Sequence, residues 1–284
     1  MGKALLRALL PSVGKPESPI SRISVAVRNK PSSERLSAEF GHSTALVDFT
    51  SNGNVKVAEN ADAVFLGFPP YLVNDVLGSP GMQRALERKL IISILAGIPT
   101  SQIKDTFHDA GIGGERTGDK TACVIRAMPN IGALIHEAAS LIVIPHDPAE
   151  KEWLDFTSWI FHHAGKVYTI PDSVFEAATG ASAVSYALTT VAIDTIVNQC
   201  VAEGIPRPMA LSIASQCVRG SCSLISTGMD PAHLRKSLTA PGSITGQAIS
   251  HLEQRNLHPL LANTVSMAVQ KAKTMGSQQH TTDS

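Results

Sequence analysis

From Ile23 to Ile170, short apolar runs bounded by turn residues alternate with amphipathic stretches, the pattern of a parallel sheet covered by helices. The apolar runs predict strands over Ile23–Val27, Thr44–Val47, Ala63–Gly67, Leu90–Leu95, Ala122–Ala127, Ser140–Ile144 and Lys166–Ile170. Helical spacing between them predicts helices over Ser32–Phe40, Tyr71–Leu77, Ser101–His108 and Ala149–Ala164. The last sets Trp153, Phe156 and Ile160 on one face, which reads as core. After Pro171 the texture changes to Ala-rich stretches of helical period: Ser182–Glu203, Pro206–Thr227, Pro231–Leu238, Thr245–Arg255 and Pro259–Met275. Pro206 and Pro231 fall where a helix start tolerates proline, and Gly204 and Gly228 fall where glycine ends the preceding helix. The pattern therefore predicts an α/β domain over 1–170, an all-helical domain over 171–275 and a polar, disordered tail over 276–284.

A chain of 284 residues with 43% hydrophobic content can bury a large core. Its 24 basic and 24 acidic residues cancel, with no Lys/Arg stripe, which argues against a nucleic-acid surface and for a small-molecule partner. Cys123, Cys200, Cys217 and Cys222 lack ligand spacing and read as reduced core thiols, which favours the cytoplasm. The run Leu90–Ile98 is too short to cross a bilayer and is followed by Pro99, so no membrane span is expected. Lys3 and Arg7 near the start faintly resemble a targeting segment, but Arg7 splits its apolar core. A first helix of the folded domain is the better reading.

The chemistry is expected in Thr239-Ala240-Pro241-Gly242-Ser243-Ile244-Thr245, which joins two helical runs. Pro241 fixes one backbone angle and Gly242 permits φ > 0, so the turn can bend sharply and present Thr245 at the N-cap of the next helix. On turn chemistry alone this is a capped turn. Three more stretches bear on it: Val124-Ile125-Arg126-Ala127-Met128-Pro129-Asn130, Ser93-Ile94-Leu95-Ala96-Gly97-Ile98 and Ala61-Asp62-Ala63-Val64-Phe65-Leu66-Gly67. Taken in chain order, the four resemble the signatures of pyrroline-5-carboxylate reductases, from Met1 to about Lys273: a strand before Lys-Pro, Ser-x-x-Ala-Gly, Met-Pro-Asn and Ser/Thr-Pro-Gly-Gly-x-Thr.

That resemblance implies a Rossmann-like parallel-sheet domain, a helical domain interlaced in a homodimer or higher homo-oligomer, and reduction of a cyclic imino acid. Met1-Gly2-Lys3-Ala4-Leu5-Leu6 resembles the end of the family's Gly-x-Gly-Asn-Met-Gly fingerprint, so the first strand and earlier glycines are expected to be missing from the domain, with Gly2 the remnant. Where an NAD-specific fold places an acid on the ribose, this chain has Arg28, Asn29 and Lys30. Two cations there suit a 2′-phosphate, hence NADPH, with NADH the alternative. The bland reading of the pair is a solvated strand end. Asn54 matches a family residue near the adenosine ribose phosphate, and Gly67, Phe68, Pro69, Ala96 and Gly97 fall in the expected cofactor groove. Pro69 stands where the family carries Lys.

For the imine, the resemblance assigns Thr245 to orient and help protonate the ring nitrogen and Asn130 to line the nicotinamide face. It assigns a loop of Ser182, Ala183, Val184 and Ser185 with the turn of Gly242, Ser243 and Ile244 to the carboxylate. The family's Thr-Gly-x-Ser-Gly-Ser-Gly-Pro-Ala appears here as Thr179-Gly180-Ala181-Ser182-Ala183-Val184-Ser185-Tyr186-Ala187. This loss of glycines and proline narrows or redirects the site. Ser243 replaces another Gly, and Ile131 and Gly132 replace Thr-Pro, while Glu137 is kept. His146, His162, His163 and His233 have no acid or Cys at ligand spacing, so no metal is expected. Ser182 and Ser185 lie in no Gly-x-Ser-x-Gly elbow, which disfavours hydrolysis. Two alternatives stand beside the reductase: a specialised enzyme giving, for example, pipecolate from piperideine carboxylate, and a non-catalytic scaffold relative.

Overall fold

The computed structural model describes residues 1–41, 46–108, 122–145 and 150–275. They form two compact units, one of Met1–Thr179 with the chain from Lys271 onward, the other of Gly180–Gln270. The first unit runs α1 (Gly2–Leu9), β1 (Ile23–Val27), α2 (Lys30–Phe40), β2 (Val47–Ser51), α3 (Asn54–Glu59), β3 (Ala63–Leu66), α4 (Val73–Leu77), α5 (Met82–Leu86), β4 (Leu90–Ser93), α6 (Thr100–His108), β5 (Cys123–Met128), β6 (Ala138–Val143), α7 (Lys151–His162) and β7 (Gly165–Ile170). The expected strand at 44–47 instead spans Val47–Ser51, where apolar and polar residues alternate on a half-buried strand. Thr44, the expected start, lies outside the described residues, as do His146 and the 276–284 tail.

Two sheets share this unit. β1 and β2 pair in parallel, and β3-β4-β5-β6-β7 form a five-stranded sheet. The β3–β4, β4–β5 and β6–β7 pairs are parallel, but β5 and β6 are antiparallel. The all-parallel expectation fails there for a geometric reason: between Met128 and Ala138 the chain makes only a 3-10 turn, Ile131–Ile135. A parallel return needs a crossover of about a dozen residues or more. Gly165 opens β7 at φ 146, and a Cβ there would stand 2.3 Å from the Ala138 carbonyl oxygen, so the β6–β7 register requires glycine.

α1 packs against both sheets. Its Ala4, Leu5, Ala8 and Leu9 join a core with Leu90, Ile92, Ile125 and Ile142, against which Ile23 of β1 and Phe65 of β3 also pack. Leu6 turns to Leu36, Phe40 and Val47. The opposite layer, Leu77, Leu86, Ile91, Leu95 and Ile98, completes a core around β4, every residue of which is buried. On α7, Ile160 and Phe161 are buried, with Trp153 and Phe156 packed beside them, as the helical spacing anticipates.

α8 (Asp172–Ala202) runs unbroken across the division between the units. The second unit continues with α9 (Arg207–Ser226), α10 (Pro231–Ser237), α11 (Ile244–Gln254) and α12 (Leu257–Met275). Asp230 caps α10 by accepting from the Ala232 and His233 amides, and Gly204 and Gly228 leave their helices at φ 93 and 100. A Cβ on Gly180 would sit 2.8 Å from the Val269 backbone, so α8 and α12 cross in direct backbone contact. Little else is covered: α10 and α11 bury no residue, and α9 buries only Ala210 and Ala214. Of the cysteines Cys123 is buried, whereas Cys217 and Cys222 are exposed on α9, so these two are not core thiols of the single chain.

α8 is 31 residues long with a mean hydropathy of 1.3 over 18 of them, enough by length and composition to cross a bilayer. Its span is Ala-rich and repeatedly interrupted by Ser and Thr, so no continuous apolar run stands out in the sequence.

Glu39 ties α2 to α1, accepting from Lys3 at 2.6 Å and Arg7 at 2.7 Å. The Lys3 hydrogen bond, with Lys3, Arg7 and Arg35 charges behind it, holds the Glu39 carboxyl below its ordinary value. A depressed carboxyl contributes stability above its unfolded pKa and loses it as pH falls through the folded one. Glu39→Gln should therefore lower the melting temperature slightly at neutral pH and less at a pH low enough to protonate the folded carboxyl, an exposed pair being screened. A deficit of equal size at both pH values would rule this out.

Candidate functional site

The parallel strands β3, β4 and β5 end together, with Leu66 beside Ser93 and Ser93 beside Arg126. Ligands of open α/β sheets bind in the crevice outside such carboxyl ends. Three expected groups follow these ends directly: Gly67, Phe68 and Pro69 after β3, Ala96 and Gly97 after β4, and Asn130 after β5. Gly97 is buried at φ 75, and Phe68 packs onto the Leu66 core. Pro69 leads into a 3-10 turn, Pro70–Leu72. Asn130 spends its side chain on its own loop: Oδ1 accepts from Gly132 N at 3.2 Å and Ala139 N at 3.4 Å, while Nδ2 donates to Ala139 O at 3.2 Å. It braces the β5–β6 connection.

After β1, Arg28, Asn29 and Lys30 are all exposed. Asn29 is the N-cap of α2, accepting from Ser32 N at 2.9 Å, so its side chain serves the helix. Lys30 faces Glu34 at 3.7 Å. Arg28 has no ion pair among the described residues and stands at the positive end of the 11-residue α2. Asn54 opens α3 and lines an open cleft of about 690 Å³ with Asn52, Gly53, Lys56 and Ser79. Gly2 starts α1, and nothing stands within 4 Å of where its Cβ would be. An uncommitted cation, a polar cleft and an open glycine at a helix start fit a phosphorylated dinucleotide.

In the second unit the turn forms as its residues dictate, with Gly242 at φ 76. The cap differs from the expectation: Ser243, not Thr245, is the N-cap of α11, with φ −73 and ψ 150 and its Oγ accepting from Gly246 N at 2.9 Å. Helical geometry begins at Ile244, which puts Thr245 inside the first turn. The Thr245 hydroxyl donates to Leu238 O at 2.5 Å, and Ser243 Oγ stands 3.4 Å from it. Ile244 is 89% exposed.

Ser182, Ala183, Val184 and Ser185 are not a loop. They lie within α8, where backbone amides bond along the helix and cannot cradle a carboxylate. Ser185 Oγ turns back to Ala181 O at 2.9 Å, and Val184 is buried. Alanine, serine and tyrosine in place of two glycines and a proline remove what would break the helix. Sequence reasoning passed over Arg126, the one buried charged side chain among the described residues. A cation inside an apolar strand was the available signal. No three His, Cys, Asp or Glu side chains gather at metal-binding distance among the described residues.

The crevice, the cations after β1 and the appended helices define a dinucleotide-dependent oxidoreductase. Comparison with known families narrows the class. Residues 172–275 match the pyrroline-5-carboxylate reductase dimerisation family, and residues 1–97 match the family described as NADP oxidoreductase, coenzyme F420-dependent. A delta-1-pyrroline-5-carboxylate reductase of Curvularia clavata is 30% identical across 99% of this chain and 89% of its own, and a pyrroline-5-carboxylate reductase of Lophium arboricola is 30% identical across 98% and 90%. The crystal structure of Plasmodium falciparum pyrroline carboxylate reductase with NADP bound superposes with a TM-score of 0.76 at 21% identity, over 97% of this chain and 94% of that one. This chain belongs to the pyrroline-5-carboxylate reductase family.

If Arg28 meets a 2′-phosphate, Arg28→Asp should weaken NADPH by tenfold or more while sparing NADH, since a carboxylate repels the phosphate and accepts from the ribose. Titration of both cofactors checks this, and equal losses would make Arg28 a solvated strand end.

Proposed function

We propose that the protein reduces 1-pyrroline-5-carboxylate to proline with NADPH, and that a homodimer or higher homo-oligomer is the working form. The observation that carries the reading is the Pro241-Gly242 turn, which fixes the Thr245 hydroxyl inside the first turn of α11. Arg28 and Lys30 would hold the 2′-phosphate, Asn54 the adenosine side, and Gly2, Gly67, Phe68, Pro69, Ala96 and Gly97 would line the groove. NADPH, when bound, supplies the hydride.

The chain's own work is binding and orientation. Because the Thr245 hydrogen is committed to Leu238 O, its oxygen meets a ring nitrogen as an acceptor, which favours an imine that arrives protonated. This refines the expectation that Thr245 donates the proton. The amides of Ile244 and Thr245 at the start of α11 are the groups suited to the substrate carboxylate. Ser182 to Ser185 would then contribute side chains rather than amides, and Asn130 would hold the shape of the nicotinamide-side loop. A ring other than the five-membered one is the second reading, favoured by Tyr186, 37% exposed on α8 where the family carries proline.

NADPH oxidation with five- and six-membered cyclic imino acids tests the proposal, and no turnover of either would refute it. With an active parent, Thr245→Ala should lower kcat more than KM by about tenfold to a thousandfold, since an oxygen fixed at the ring nitrogen orients the imine for hydride transfer. Thr245→Ser should keep much of the activity. An alanine variant as active as the parent would leave Thr245 only a structural part of the turn.

Val191, Ile213, Leu260 and Met267 are 50% or more exposed on α8, α9 and α12, and a second copy is their proposed cover. Stability should then rise with protein concentration. A melting temperature unchanged across a hundredfold dilution of a monomeric species would contradict it.

A further inference from the structure

The buried cation on β5 has no part in the chemistry above, yet it lies two residues before Met128 and four before Asn130. Its surroundings are specific. Arg126 is 4% exposed, with one guanidinium nitrogen 2.6 Å from Glu176 Oε1 and the other 3.4 Å from Asp172 Oδ1. The guanidinium carbon stands 4.4 Å from the ring centroid of Phe175, which is fully buried. Asp172 and Glu176 are one turn apart on the same face of α8, at the end where the helix dipole favours acids. Phe175 in turn packs with Met128, Leu141, Val143 and Ala178.

We propose that Arg126 is a positioning residue: it clamps the first two turns of α8 to the end of β5 and thereby fixes the Met128-Pro129-Asn130 segment at the crevice. The clamp is directional, because a planar fork bonding two carboxylates while stacked on a ring leaves the guanidinium one orientation. A lone charge would not need this. Lysine could match the charge but neither the fork nor the stacking. From Arg126 the constraint passes along the strand to Asn130, whose three bonds to Gly132 and Ala139 carry it into β6. For activity the inference rests on the reductase reading, but its structural part does not.

Stability and positioning separate by neutralising the whole cluster. Removing the carboxylates strands the buried Arg126 charge and destabilises, whereas Asp172 and Glu176, 47% and 25% exposed, are solvated without it, so neutralising all three restores stability. Asp172→Asn with Glu176→Gln should therefore lose stability, and adding Arg126→Gln should regain most of it. The triple variant should still show kcat reduced at least about tenfold with KM for NADPH changed less than about threefold, as expected of lost orientation. Hydrogen exchange in residues 128–135 should rise by tenfold or more while β4 stays protected. Arg126→Lys, which retains the buried charge and so the fold, should reproduce both effects if the triple variant does not fold. Recovery of kcat together with melting temperature, or unchanged exchange at 128–135, would overturn the proposal. Exchange decides it even if no imine is turned over.

Discussion

The second unit depends on apolar burial that it does not achieve by itself. α10 and α11 bury nothing, α9 buries two alanines, and leucines, isoleucines and methionines along α8, α9 and α12 face outward. Each such side chain would contribute about 1.5–3 kcal/mol on full burial, against a net stability of about 5–15 kcal/mol for a whole domain. A handful of uncovered positions is therefore as large as the folding free energy itself. Local propensity and capping at Asp230 and Ser243 contribute a few kcal/mol at most. Cover from outside the unit is what makes these helices stable, and the match of 172–275 to a dimerisation family agrees with a second chain as that cover. The same deficit accounts for the apolar length of α8, whose membrane-like window is only 17% buried.

Continuity of α8 carries the next consequence. Glycine and proline cost about 1 and 3 kcal/mol in a helix interior relative to alanine, so Ala183, Ser185 and Tyr186 favour an uninterrupted helix. An uninterrupted helix offers side chains where a broken one offers amides. The polar contacts open to an anionic group then gather at the turn before α11, where Ser243 already caps Gly246. α8 thus presents no glycine cradle, and Tyr186 stands 37% exposed on its surface.

Much of the fold was legible because periodicity and chain breaks report burial directly. β1, β3, β4, β5 and β7, and the last four helices, lie within a few residues of their apolar patterns, while α8 begins at Asp172, ten residues before its expected start at Ser182. What escaped has local causes. α3 and α5 have six and five residues, too short for a 3.6-residue period to register. The antiparallel β6 has the composition of any buried strand, and only the length of its connection reveals its direction. At the site, residue types were legible and their employment was not. Asn29, Asn130 and Ser243 each bond backbone amides nearby, a use that polar side chains at turns adopt readily. Arg28 has no ion-pair partner among the described residues.

These local bonds also hold the two turns at which the chain departs from the family pattern. Asn130 secures the β5–β6 turn from inside, so Ile131 and Gly132 can replace Thr-Pro without loosening it. Ser243 caps α11 through its side chain, so the turn keeps its shape with one glycine, Gly242 at φ 76, rather than two. A typical cap contributes about 1 kcal/mol, and at φ −73 and ψ 150 the backbone at Ser243 accepts a Cβ without strain. The hydroxyl of Thr245 is then held by Leu238 O, the carbonyl at the end of α10. Each of the two turns is fixed by its own side chain, Asn130 at the β5–β6 connection and Ser243 before α11, so each keeps its backbone independently of the residues beside it.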